Sequence, residues 1–182
     1  MIRGDKVALR AIEPGDFKKL WEWTQDEETM RLRNFPAPPI SLAQAEKEYT
    51  DIGQDDQIRL AIITLEGELI GETALWKIDY RSGNTDFTIA IGNKEYWGHG
   101  YGTDATRTLM RYAFEQLNLQ RINLYVHSFN QRAIHAYEKC GFQIEGRLRS
   151  ETYMDGKRSD VLVMGLLRDE FIETYDFGKL AA

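Results

Sequence analysis

Three glycines at alternate positions, Gly98, Gly100 and Gly102, sit within Tyr96-Trp97-Gly98-His99-Gly100-Tyr101-Gly102-Thr103-Asp104-Ala105, immediately before a helix-forming run. Glycine has no Cβ, so a loop built this way can take positive φ and bring its backbone against a ligand. The helix that follows offers unpaired N–H groups and the positive end of its dipole. Together these predict an anion site, most naturally for a phosphate or pyrophosphate. A nucleoside-triphosphate loop needs Lys-Ser or Lys-Thr after its glycines, and neither follows here. Gly100-x-Gly102-x-x-Ala105 matches the dinucleotide fingerprint, but the next strand, 121–128, ends without the acid that would hold a ribose. A glycine-rich turn without a ligand is the other reading of this segment alone.

About thirty residues downstream, Asn130-Gln131-Arg132-Ala133-Ile134-His135-Ala136-Tyr137-Glu138-Lys139-Cys140-Gly141-Phe142 reads as a short helix after a β-like run. Asn130 suits the N-cap, Ala133, Ile134 and Tyr137 share one face, and Gly141 closes the C-terminus. Strand, glycine loop, helix, strand and N-x-x-A-x-x-x-Y-E-K-x-G-F helix, in this order, resemble the GCN5-related N-acetyltransferase superfamily. Within it the chain is most similar to the RimJ/RimL branch and the neighbouring spermidine N-acetyltransferases. The resemblance runs from Val7 to about Glu170, with its core at residues 85–142.

The 182 residues fit one domain, 1–182, large enough for a substantial core. No apolar run approaches the length of a membrane span, and the N-terminus lacks the apolar core of a signal peptide. A cytoplasmic protein is therefore expected. A net charge of −6 argues against a general nucleic-acid binder. The lone Cys140 reads as a packed thiol at a helix end, with no basic partner to activate it.

Alternation predicts a strand over Val7–Ile12, with Pro14 and Asp16 then opening a helix rich in Trp and Leu. Pro36, Pro38 and Pro39 break the chain, and Ser41-x-x-Gln44 is a capping-box start for a helix running to about Ile52. Strands follow at 58–65, 68–79 and 85–91, and two last strands flank Asp155-Gly156, a strong hairpin signal. The expected fold is α/β: one mixed, mostly antiparallel sheet with helices on both faces, as the resemblance also implies.

The resemblance implies acetyl-coenzyme A as co-substrate and no metal. It places the pyrophosphate on the amides of Gly98, His99, Gly100, Tyr101, Gly102 and Thr103. The pantetheine arm would lie where two parallel strands splay, against the backbone of Ile89-Ala90-Ile91, with Asn130 touching it and Ala133 beneath. The chain departs from the superfamily at Trp97, where Gln or Arg is usual, and at His99, often Lys or Arg. Tyr137 is the implied catalytic acid, a phenol near the sulfur that can protonate the departing thiolate; the plainer alternative is a core tyrosine. For the base that neutralises the amine, Asp86, Glu72, Glu151 and Tyr153 are candidates, and none is singled out.

The expected reaction is direct acetyl transfer to a primary amine in a ternary complex. Residues 1–56 hold twelve acids against eight bases, including Asp26-Glu27-Glu28 and Asp55-Asp56, which would attract a cationic amine. A protein N-terminal amine is the leading acceptor. A polyamine, amino sugar or amino acid is the alternative, because spermidine enzymes carry acids where this chain has Ala74, Trp76 and Lys77. Trp21, Trp23, Phe35 and Trp76 are either a pocket floor for a peptide end or core. An acyl-coenzyme A sensor is the non-enzymatic alternative, and a homo-oligomer is left open.

Overall fold

The computed structural model describes residues 1–33, 38–50 and 56–174. In chain order these form β1 (Ile2–Arg3), β2 (Val7–Ala11), α1 (Phe17–Thr24), α2 (Glu27–Leu32), α3 (Leu42–Thr50), β3 (Ile58–Thr64), β4 (Leu69–Asp79) and β5 (Asn84–Ile91). Then come α4 (Tyr101–Glu115), β6 (Arg121–His127), α5 (Gln131–Glu138), β7 (Gln143–Met154), β8 (Lys157–Leu167) and α6 (Arg168–Thr174). The strands make one sheet in the order β1-β2-β3-β4-β5-β6-β8-β7. Neighbours are antiparallel except β5 and β6, which run parallel. The expected mixed, mostly antiparallel sheet is the one observed.

Alternation along the strands divides the side chains between two cores. On one face Leu9, Ile62, Leu75 and Phe87 pack against Leu109, Met110 and Phe114 of α4, and the Phe171 ring of α6 lies tilted against Phe114 at 5.4 Å. On the other, Ala8, Ala61 and Ile63 meet Phe17 and Leu20 of α1 and Ala45 and Tyr49 of α3. A strand displays opposite faces at successive residues, so the same backbone serves both layers.

Local signals act where they stand. Ser41 and Gln44 exchange the two capping-box bonds, Ser41 N–H to Gln44 Oε1 at 3.0 Å and Gln44 N–H to Ser41 Oγ at 3.2 Å. Asp155 and Gly156 both have positive φ, 50° and 75°, the conformation of a two-residue hairpin turn. Two short elements escape the sequence pattern, β1 and α2, and α6 extends the chain beyond the last strand. Phe35, Pro36, Ile52 and Asp55 lie outside the described residues.

Candidate active site

β5 and β6 hold together through only three residue pairs, Asn84–Arg121, Thr85–Ile122 and Asp86–Asn123. Beyond Asp86 the strands part: β6 continues along β8, and β5 continues along β4. The gap opens a cleft of about 1000 Å³ lined by Phe87–Ile91, the glycine loop, α5 and the acceptor-side residues of α2, β3 and β4.

The loop closing one end of this cleft is set by its glycines and by Trp97. Gly98 and Gly100 have φ of 78° and 85°, a left-handed conformation that a Cβ would strain. Gly102 is helical, and a Cβ there would meet only Ile91 Cγ1, at 3.6 Å. The first helical bond of α4 runs from Asp104 N–H to the Gly100 carbonyl at 2.9 Å. The amides of Tyr101, Gly102 and Thr103 thus precede the intrahelical ladder, as an anion requires. The Trp97 indole N–H donates to the Ile91 carbonyl at 2.7 Å and pins the loop to the end of β5.

The helix behind the loop is itself held from a distance. The Asp104 carboxylate, 6 % exposed, accepts from the backbone N–H groups of Asp5, Lys6 and Val7 at 3.2, 2.8 and 3.0 Å. Sequence reasoning missed this clamp between β2 and α4. An acid in the first turn of a helix was its one visible trace.

Of the residues the resemblance pointed to, the cleft brings together Ile89, Ala90, Ile91, Gly98, Gly100, Gly102, Thr103, Asn130, Ala133 and Tyr137. Asn130 also caps α5, accepting from Ala133 N–H at 3.2 Å. For His99 and Tyr101 the expectation concerned the amides alone; neither residue is in the lining, the His99 side chain is exposed, and Tyr101 packs edge-on against Tyr96. A cation stands near the loop all the same. The Arg132 guanidinium lies 3.8 Å from the Trp97 ring centroid, and burial lowers its pKa. Arg132 forms no ion pair among the described residues and lines the cleft, so it offers the charge that the loop positions lack.

Tyr137 is half-buried, its ring edge-on to Phe87 at 6.2 Å and to Phe142 at 6.0 Å. Burial, with a smaller effect of nearby Cys140, raises its pKa well above the usual phenol range. A phenol in this setting stays protonated and can donate. Cys140 is fully buried, its thiol pushed up to about 12 chiefly by burial, which leaves it inert as a nucleophile.

The candidate bases separate sharply. Glu151 and Tyr153 are exposed on β7 and do not line the cleft, so the structure removes both from contact with it. Glu72 lines the cleft but receives Arg33 Nη2–H on Oε1 and Arg59 Nη2–H on Oε2, each at 2.8 Å. Burial opposes its ionisation, yet the two guanidiniums prevail and hold its pKa below the usual carboxylate range. A carboxylate so engaged is a weak base. Asp86 lines the cleft, with Lys77 Nζ 3.4 Å away.

Trp76 also lines the cleft and donates its indole N–H to Thr88 Oγ1 at 2.8 Å. Trp21 and Trp23 are core instead. Trp21 Nε1–H bonds the Ile40 carbonyl at 2.8 Å, and the Trp23 ring fills the space a Cβ on Gly92 would need. Part of the acidic N-terminal charge is answered locally: Asp26 caps α2 through Thr29 N–H at 2.8 Å, and Lys94 bonds Asp26 and Glu28. Lys94 and that cap hold Asp26 down to about 2. Among the described residues no group of His, Cys, Asp or Glu could hold a metal, and no helix is long and apolar enough to cross a membrane.

Residues 6–143 match the family model described as the acetyltransferase (GNAT) domain. A spermidine N(1)-acetyltransferase of Vibrio cholerae is 30% identical over 168 residues, covering 92% of this chain and 96% of the relative. One from Escherichia coli strain K12 is 29% identical over 166 residues, covering 91% and 88%. The crystal structure of the Vibrio cholerae spermidine N-acetyltransferase with CoA and spermine superposes with a TM-score of 0.84 at 30% identity, covering 91% of this chain and 98% of that one.

Proposed function

Because the chain belongs to the GNAT acetyltransferase family, we propose that this acetyl-coenzyme A-dependent N-acetyltransferase acts on the primary amine of a small molecule. The observation that carries the reading is the parting of β5 from β6, which opens onto the glycine loop with Tyr137 in the same cleft. Amides from Gly98 to Thr103 hold the pyrophosphate, with Arg132 beside them. The backbone of Ile89-Ala90-Ile91 aligns the pantetheine arm on the edge away from β4, where Trp97 already holds the Ile91 carbonyl, and Asn130 and Ala133 form its other wall. The neutral amine attacks the thioester carbonyl, the C–S bond breaks, and the Tyr137 phenol protonates the leaving sulfur. Asp86 takes the amine proton through water, since Glu72 is occupied and Glu151 lies away from the cleft.

The relatives support a small acceptor in place of the protein N-terminus favoured by sequence reasoning, and their names make a polyamine the reference acceptor. Thiol release from acetyl-coenzyme A should be measured with spermidine, diamines, amino acids, an amino sugar and a peptide with a free N-terminus. Turnover on small amines and none on the peptide is expected. Turnover confined to the peptide would overturn the acceptor class.

A further inference from the structure

The acceptor side of the cleft contains more positive charge than its buried carboxylate requires. Glu72 projects from the middle of the sheet, opposite Ala90, with its side chain 12 % exposed. A carboxylate withdrawn from water needs a cation, and one guanidinium is enough to neutralise it. Here two converge on it, so Arg33, Glu72 and Arg59 together carry one net positive charge. Each arginine spends one Nη2–H on Glu72, and a guanidinium has five donors.

Both arginines are held in place. Arg59 lies over the Tyr49 ring at 4.6 Å and the Trp76 ring at 5.4 Å. Arg33 ends α2, and its carbonyl accepts from His127 Nε2–H at 2.9 Å. Among the described residues its buried Nε has no hydrogen-bond partner, while the side chain as a whole is 31 % exposed and lines the cleft. That buried Nε is closed to a ligand, but the exposed part of the guanidinium keeps N–H donors that Glu72 does not use, and these can meet an acceptor atom in the cleft. The other charges nearby are balanced or exposed: Lys77 answers Asp86, and Asp56 stands at the exposed rim.

We propose that the amine acceptor of this enzyme also bears a carboxylate, received by Arg33 and Arg59. The proposal rests on the small-amine acetyl-transfer reading and narrows its substrate class. A polycation would approach a locally positive triad, whereas an amino acid brings the missing negative charge. Its amine is then left to the Asp86 side of the cleft, where the acetyl group is transferred.

Matched pairs that differ by one carboxylate test this: cadaverine against lysine, and putrescine against ornithine, with spermidine as reference. Thiol-release kinetics should give at least about tenfold higher kcat/KM for the carboxylated member, the least expected of a charge-assisted bond. Arg33→Gln should erase that preference and Arg33→Lys keep part of it. The melting shift given by acetyl-coenzyme A reports whether each variant is folded. Glu72→Gln, which frees both guanidiniums, should widen the preference. Equal or better use of the diamines or spermidine by the wild type would overturn the carboxylate subsite and leave acetyl transfer standing. If no acceptor turns over, acetyl transfer to this panel fails. The subsite is then read from melts of the CoA complex, where lysine should shift the transition and cadaverine should not; the reverse overturns it.

Discussion

Tyr137 is braced by two phenylalanine rings, so removing its hydroxyl should leave the ring packing in place. Tyr137→Phe is expected to lower kcat by about two to four orders of magnitude, the range of a general acid, with little change in melting temperature. Near-full turnover in steady-state kinetics would move the acid elsewhere. The pH profile gives a second check, and its sign follows from the raised pKa. As the proposed acid, Tyr137 would act in its protonated form, which persists above the ordinary phenol value of about 10. Hence kcat/KM should climb between about pH 6 and 9 as more acceptor amine is neutral, with no descending limb in that window. A fall centred below pH 9 would assign the proton to a different group. Arg132→Ala should raise the KM for acetyl-coenzyme A about tenfold and leave kcat nearly unchanged, the mark of uniform binding. An equal loss in kcat would instead place Arg132 in the transition state.

The glycine loop and α4 divide two effects that sequence reasoning had joined. Gly100 has positive φ, so Gly100→Val strains the backbone by about 1–3 kcal/mol besides crowding a phosphate. Gly102→Val is the cleaner probe, because its Cβ would make only ordinary contact with Ile91. It should abolish the acetyl-coenzyme A melting shift while the fold persists; an unchanged affinity by titration would remove the cradle. Asp104→Ala should cost about 2–4 kcal/mol in denaturant unfolding, since three backbone N–H groups lose their shared acceptor. These elements also show what the sequence could display. Strand alternation, the Asp155-Gly156 turn and the Asn130 cap are local, and a reader meets all their parts within a few residues. The Asp104 clamp joins positions 97 to 99 residues apart, and the Arg33–Glu72 and Arg59–Glu72 contacts span 39 and 13. No periodicity or motif records such meetings. They exist only once β2, β3 and β4 lie side by side, which is why Glu72 read equally well as a base.

At the scale of the molecule, a ligand bound by the folded state alone raises stability by mass action, and acetyl-coenzyme A is expected to do so. At one hundred times its Kd it should add about 2.7 kcal/mol, or roughly 5–10 °C in Tm for a chain of this length. A scan at graded ligand concentration measures it. The same cleft has a mechanical side. Three residue pairs, Asn84–Arg121 to Asp86–Asn123, join five strands on one flank of the sheet to three on the other. Past that seam, the edge of Phe87–Ile91 turned toward β6 has no neighbouring strand among the described residues, and amides on that edge lack the shelter of a ladder. The pantetheine arm would lie in this gap like a ninth, borrowed strand, extending the β5–β6 junction beyond its three pairs while the cofactor is seated. Amide hydrogen exchange should therefore slow at Phe87–Ile91 and along β6 together when acetyl-coenzyme A binds, and quicken together after the product leaves. The seam would then couple cofactor binding and release to the pairing of the sheet's two flanks.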